Sequence, residues 1–256
     1  MKSIKYIVLF IFICSLSVFG QQNRSVELDF IVPVGASLGI NYYTLKSDAT
    51  NKSTVDRFEE KLSENSKPPF LGFDTGLYVL VGKRFPMGKN VSFGIFGEFG
   101  WSHDSFATAV VSKDQSLIST IAFESLVFGL NPRFHFGKFT VGVSGGIKLP
   151  IFAIAMDYTI NTKENTLRSN TEYYHLLQIW KAYTLPFIPY VKISTDYTIF
   201  SDRKIELTVG GYIGYDFGMI AVNNDFTEYS LRKDIDYHIS SIDIGFQFGA
   251  RILSVK

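Results

Sequence analysis

Side chains along this chain change character from one residue to the next over long stretches, and a period of two fits a β-strand and little else. In Val91–Trp101 one face carries Val91, Phe93, Ile95, Gly97, Phe99 and Trp101, and the other carries Ser92, Gly94, Phe96, Glu98 and Gly100. Ile205–Phe217 sets Ile205, Leu207, Val209, Ile213, Tyr215 and Phe217 against Glu206, Thr208, Gly210, Tyr212, Gly214 and Asp216. A final stretch sets Ile242, Ile244, Phe246, Phe248 and Ile252 against Asp243, Gly245, Gln247, Gly249 and Arg251. Five further stretches, Val26–Tyr43, Phe70–Phe85, Leu117–Phe136, Phe139–Ile160 and Tyr183–Phe200, follow the pattern less cleanly. About eight strands are therefore expected, several longer than the ~9–11 residues that cross the hydrocarbon of a bilayer. Pro150, Pro186 and Pro189 have no N–H to give to a ladder, so bulges or strand ends are expected at them.

The connections alternate as well. Those after the second, fourth and sixth strands are tight: Pro86–Asn90, Gly137-Lys138 and Ser201–Lys204. Those after the first, third, fifth and seventh are long and polar: Lys46–Pro69, Ser105–Ser116, Asn161–Lys181 and Ala221–Asp236. Short turns at one end and long loops at the other are the pattern of an up-and-down transmembrane barrel. Past residue 24 there is no apolar run of the ~18 residues a membrane-spanning helix needs. Internal repeats, low-complexity tracts and domain linkers are not visible, so one barrel domain over residues 21–256 is the economical reading.

The first twenty residues read as a cleaved export signal. Lys2 and Lys5 precede an apolar Tyr6–Phe19, and Val18 and Gly20 offer small side chains ahead of Gln21. Cys14, the one cysteine of the chain, lies inside this segment after Ile13, which is too large for a lipid-attachment motif. The remaining chain then has no thiol, which excludes disulfides and cysteine-based metal or catalytic sites. Loss of Lys2 and Lys5 takes the formal net charge from +1 to −1, a balance that does not invite nucleic acid. Aromatics at 16% favour strands, and a mean hydropathy of +0.13 suits a barrel with a polar interior.

Alternation alone does not say which face points inward. Three features favour an apolar exterior. Charges on the proposed inner faces are few and of both signs: Glu27, Asp29, Asp74, Arg84, Glu98, Arg133, Lys148, Lys192, Glu206, Asp216, Asp243 and Arg251. A water-facing surface normally carries more charge, whereas a narrow lumen favours opposite charges that pair. Glycines crowd the same face, among them Gly72, Gly76, Gly82, Gly94, Gly142, Gly146, Gly210, Gly214, Gly245 and Gly249, as a tightly curved barrel requires. Aromatics gather near strand ends, from Tyr42, Tyr43, Phe70, Phe85 and Trp101 through Phe136, Phe139, Tyr158 and Tyr183 to Tyr197, Phe200, Tyr215, Phe217 and Tyr237, like interfacial girdles. The expected role of the inner charges is structural filling of the lumen, in preference to a conduction path, because eight strands leave only enough interior for side chains.

The signal ending Val18-Phe19-Gly20 before Gln21-Gln22, with strands such as Val91–Gly97 and Ile242–Gly249, resembles the small outer-membrane β-barrel proteins of Bacteroidota, within the OmpA/OmpX-like and PorT-like group. The resemblance spans the chain after the signal as a pattern, without a residue-specific motif. It implies residence in the outer membrane of a Gram-negative cell, contact with outer-membrane lipid, insertion by the barrel assembly machinery, and envelope or secretion-system proteins as partners. One departure is the C-terminus, Ile252-Leu253-Ser254-Val255-Lys256, where such chains commonly end on an aromatic residue.

Chemistry is sparse. His103, His175 and His238 are expected at the long-loop end and His135 near a tight turn. Three imidazoles at one rim suit a transition metal, and His103 with Ser102 or Ser105 and Asp104 suits a hydrolase of membrane lipids. Yet neighbours on a strand point to opposite faces, so His103-Asp104-Ser105 do not align as a relay unaided. Phosphate loops, paired zinc ligands, calcium loops and dinucleotide fingerprints are absent. A short surface helix around Asp56–Leu62 is a minor reading of the first long loop. The expectation is a non-enzymatic barrel without cofactor or metal, serving envelope integrity or surface binding. An accessory barrel of a secretion system comes second, and a lipid-modifying enzyme third.

Overall fold

The computed structural model describes residues 26–45, 71–111, 115–161, 166–183, 186–202, 205–221 and 235–253. Residues 1–20, expected to be an export signal, and the Asp56–Leu62 stretch lie outside these residues. The strands are β1 (Val26–Leu45), β2 (Leu71–Pro86), β3 (Val91–Val111), β4 (Gln115–Phe136), β5 (Phe139–Asn161), β6 (Thr166–His175), β7 (Ile188–Ser201), β8 (Ile205–Ala221) and β9 (Ile235–Leu253), with a helix α1 (Leu176–Ala182) between β6 and β7.

Eight of these strands form a closed antiparallel barrel. The ring runs β1-β2-β3-β4-β5-β7-β8-β9 and returns to β1, where Glu27 pairs with Leu253 and Leu45 with Ile235. Closure leaves no open edge in the ring. β6 stands outside it. The first half of β5, Phe139–Lys148, pairs with β7, whereas the second half, Phe152–Asn161, pairs with β6. The switch of partner falls at a bulge: Ser125 faces Pro150 and Glu124 faces Phe152, so Ile151 is left over. Proline cannot complete the ladder, and the bulge at Pro150 follows. Pro189 lies at the start of β7 opposite Ile147, and Pro186 precedes the strand.

Two connections differ from expectation. Ser105–Ser116 is largely strand, with β3 running to Val111 and β4 beginning at Gln115. Asn161–Lys181 holds β6 and α1, and the strand expected from Tyr183 begins at Ile188. In both places the wall extends into residues whose polar character resembles loop. The two-residue turn at Gly137-Lys138 is tight because Gly137 adopts φ 60°, a left-handed conformation that side chains disfavour.

Apolar residues point out. Ile95 is 49% exposed, Ile213 50% and Phe246 71%, while their neighbours Phe96, Tyr212 and Gln247 are buried. This is the reverse of a soluble barrel, whose apolar face fills the core. Aromatic side chains mark the outer surface towards the tight turns, with Phe93 against Phe134 at 4.8 Å and Phe139 against Tyr197 at 5.0 Å. Tyr183 is a correction to the expected girdle: it is buried under α1, against Phe123.

Candidate functional site in the barrel lumen

Along the eight strands of the ring, alternate described residues face the interior, and the polar ones arrange themselves in levels along the axis. Nearest the tight turns, three arginines meet three carboxylates. Arg133 donates to Asp29 at 2.5 Å and to Asn131 at 3.2 Å. Arg251 lies 2.6 Å from Glu27 and 3.2 Å from Asp29, and donates to Glu206 at 2.8 Å. Arg84 donates to Glu27 at 2.9 Å. Planar guanidinium groups suit such multiple pairing, and the level is charge-balanced. His135 is buried beside it, with Nδ1 2.9 Å from the Thr140 hydroxyl.

At the middle level Glu98 accepts from Asn131 at 3.0 Å, Ser144 at 2.9 Å and Tyr190 at 2.8 Å, with Lys192 at 3.5 Å. The Lys192 ammonium also lies 4.2 Å from the centre of the Tyr78 ring, a favourable cation–π placement. Apolar side chains of Ile31, Leu80, Phe96 and Val127 fill the space between. Glycines make room for the tyrosines: a Cβ at Gly35 would sit 2.5 Å from the Tyr212 hydroxyl.

Above lies an acidic level. Asp74 from β2, Asp104 from β3, Asp216 from β8 and Asp243 from β9 are all buried there. Lys148 from β5 donates to Asp104 and to Asp216, each at 2.6 Å. Ser102 donates to the other oxygen of Asp104 at 2.8 Å, and Tyr212 donates to Asp74. Among the described residues, Asp104, Asp216 and Asp243 are the one group of three metal-capable side chains, with an oxygen of each within 4.8 Å of the others. Over this level an apolar layer closes the interior: Phe106, Phe123, Ala153, Ile188 and Met219 from the wall, and Ile179 and Tyr183 brought in by α1. α1 is started by the His175 N–H donating to the Gln178 side chain at 2.9 Å.

Of the charges named from the sequence, Glu98 and Lys192 meet at the middle level. The structure brings Glu27, Asp29, Arg84, Arg133, Glu206 and Arg251 into one network, and Asp74, Lys148, Asp216 and Asp243 around one cavity. Two interior acids escaped the sequence reading, Asp104 and Asp196. Counting on by twos from Glu98 reaches Asp104, and from Lys192 reaches Asp196, which accepts from Gln247 at 2.6 Å.

The histidine constellation is not assembled as the sequence suggested. His103 sits on the outer face, its Nδ1 2.7 Å from Glu124, whose second carboxylate oxygen accepts from the Trp101 indole at 2.7 Å. Asp104 points the opposite way, into the lumen. Ser102 is bonded to Asp104 inside, and the Ser105 hydroxyl bridges the Phe73 backbone, accepting from its N–H at 2.6 Å and donating to its carbonyl at 3.1 Å. His175 begins α1 and packs on Phe152 with ring centres 5.6 Å apart. The side chain of His238 lies outside the described set.

No family model and no curated protein sequence matches the chain. Among solved structures, it is similar to the outer-membrane protease OmpT of Escherichia coli, at 8% identity and a TM-score of 0.38, over 92% of this chain and 99% of that one. It is also similar to Ail, the attachment invasion locus protein of Yersinia pestis, at 11% identity and a TM-score of 0.30, over 87% and 98% of the two chains. Neisserial surface protein A is a third, at 10% identity and a TM-score of 0.26, over 87% and 96%.

Proposed function

We propose that this chain is a non-conducting outer-membrane barrel that acts through the surface it presents at its long-connection end, in envelope integrity or surface binding. The observation that carries the reading is the filled interior. Three polar levels and an apolar cap follow one another along the axis, and large side chains at each, Arg133, Phe96, Glu98, Phe123 and Ile179, are almost wholly buried. Such an interior leaves no water-filled path for solutes, whereas an outward apolar face suits lipid tails. At the long-connection end, Tyr173, Leu177 and Trp180 are exposed on β6 and α1 and offer contact surface beyond the wall.

The reading is non-enzymatic, since His103 and Asp104 face opposite sides of the wall. It includes insertion by the barrel assembly machinery and kinship with the OmpA/OmpX-like and PorT-like barrels of Bacteroidota, both supported by strand pattern alone. Planar-bilayer recording of the refolded protein tests it. A silent bilayer is expected, and a steady large conductance contradicts it.

A further inference from the structure

The exposed face of α1 continues the outer wall. On β6, Tyr174 packs inward against the apolar layer, whereas Tyr173 and His175 lie against Phe152 of β5, with ring centres 6.1 and 5.6 Å apart. The chain passes from His175 directly into α1, which packs along β5 and β6. Ile179 is the helix residue that enters the lumen, and it is fully buried. An α-helix turns about 100° per residue, so Leu177 falls on the side opposite Ile179, with Trp180 beside Leu177. Leu177 is 71% exposed and Trp180 47%.

The height of this face puts it where the apolar wall ends. On β5 the outward apolar run starts at Phe139, beside the tight turn, and passes Val141, Val143 and Ile147 to Ile151. From Phe139 to Phe152 the strand climbs roughly 33 Å, at about 3.3 Å per residue and a tilt of about 40°. That is past an apolar band of about 25 Å, but inside the ~40–45 Å of a bilayer with its headgroups. A cross-strand row leads from Phe152 through Glu124 to His103, where the outer face turns polar. Just below the row, the Trp101 indole donates to Glu124 at 2.7 Å. Trp101 and Trp180 are the two tryptophans of the chain, and both stand at this border. Tryptophan suits it, with an apolar ring and a polar N–H.

We propose that α1 is seated in the lipid interface, with Leu177 against the upper acyl chains and Trp180 at the level of the headgroups. Lys181, exposed in the last turn, brings an ammonium to the height of lipid phosphates. The seating rests on the reading of the chain as an outer-membrane barrel, and it gives the exposed patch a lipid partner. Continuity carries it: the patch joins the lipid-facing side of β5 through Phe152 without a polar break. One short helix then has two anchors, Ile179 in the lumen and Leu177 with Trp180 in lipid, so the bilayer helps to hold the cap over the interior.

Trp101→Phe leaves Trp180 as the sole tryptophan, and Trp180→Phe leaves Trp101. Each protein is refolded into phosphatidylcholine vesicles whose acyl chains carry bromine either near the headgroup or near the bilayer centre. Trp180 emission is expected to fall about twofold or more with the shallow bromine, to fall less with the deep one, and to resist iodide added to the water. Adding Leu177→Asp to the Trp101→Phe protein is expected to remove most of that quenching and open Trp180 to iodide, while the barrel keeps its heat-modifiable gel mobility. Unchanged quenching in that folded variant contradicts the seating. Trp101 quenched by bromine, with Trp180 open to iodide and blind to bromine, overturns the proposal and leaves the lipid-facing wall standing. Quenching of neither tryptophan overturns both.

Discussion

Arg133 on β4 donates to Asp29 on β1 at 2.5 Å, and these strands lie on different sides of the ring with β2 and β3 between them. The pair therefore ties the barrel across its interior, where Asp29 also receives Arg251. Arg133→Ala leaves part of a buried carboxylate network uncompensated. A loss of about 3–5 kcal/mol is expected in urea unfolding followed by gel mobility. Arg133→Met combined with Asp29→Leu is expected to recover much of that loss, because apolar replacement of a whole buried pair removes the uncompensated charge.

Lysine on the outer face acts differently. Ile213 is half exposed on β8, between inward-facing Tyr212 and Gly214. Ile213→Lys places an ammonium against lipid tails and is expected to cost about 2–4 kcal/mol near the bilayer centre. The measurement is folding into lipid vesicles against urea. An unchanged midpoint would mean that this face does not meet hydrocarbon.

Strand direction and face were legible in the sequence because the two surroundings of the wall differ so sharply. Isoleucine, valine and phenylalanine alternate with glycine, aspartate and arginine, and that contrast persists from Val91 to Trp101 and from Ile205 to Phe217. It fades above Trp101. There the outer face carries His103 and Ser105, so Ser105–Ser116 reads as loop although β3 and β4 continue through most of it. Asp104 was lost as an interior charge for the same reason, and Glu124 was not linked to His103 because the two are 21 residues apart. α1 has seven residues, too few for helical periodicity to register, and β6 is a polar strand outside the ring.

The seal formed by α1 rests on Ile179, which is fully buried among Phe106, Phe123, Ile188 and Met219. Ile179→Asp puts a charge into that layer. The helix is expected to detach locally, raising protease cleavage between β6 and β7 by about tenfold or more while the barrel keeps its heat-modifiable gel mobility. Equal cleavage of wild type and variant would show that Ile179 does not anchor the cap.

His103 and Glu124 form a partly exposed pair on the outer face. His103→Ala is expected to change stability by less than about 1 kcal/mol, as exposed pairs do. It is also expected to leave lipid A and phospholipid acylation in the producing cell as they were. A lipid profile that shifts with this substitution would make the barrel an enzyme after all.

The wall turns its apolar residues outward and its polar residues inward. Cys14 is the sole cysteine of the chain, so in a Cys14→Ser background single cysteines introduced along β8 carry a fluorophore at one known position each. In vesicles of brominated lipid, labels at Leu207, Ile213 and Phe217 are predicted to be quenched strongly, and labels at Thr208, Tyr212 and Asp216 to be quenched little. Quenching with the opposite phase, or none at any position, would mean that the apolar face does not meet lipid.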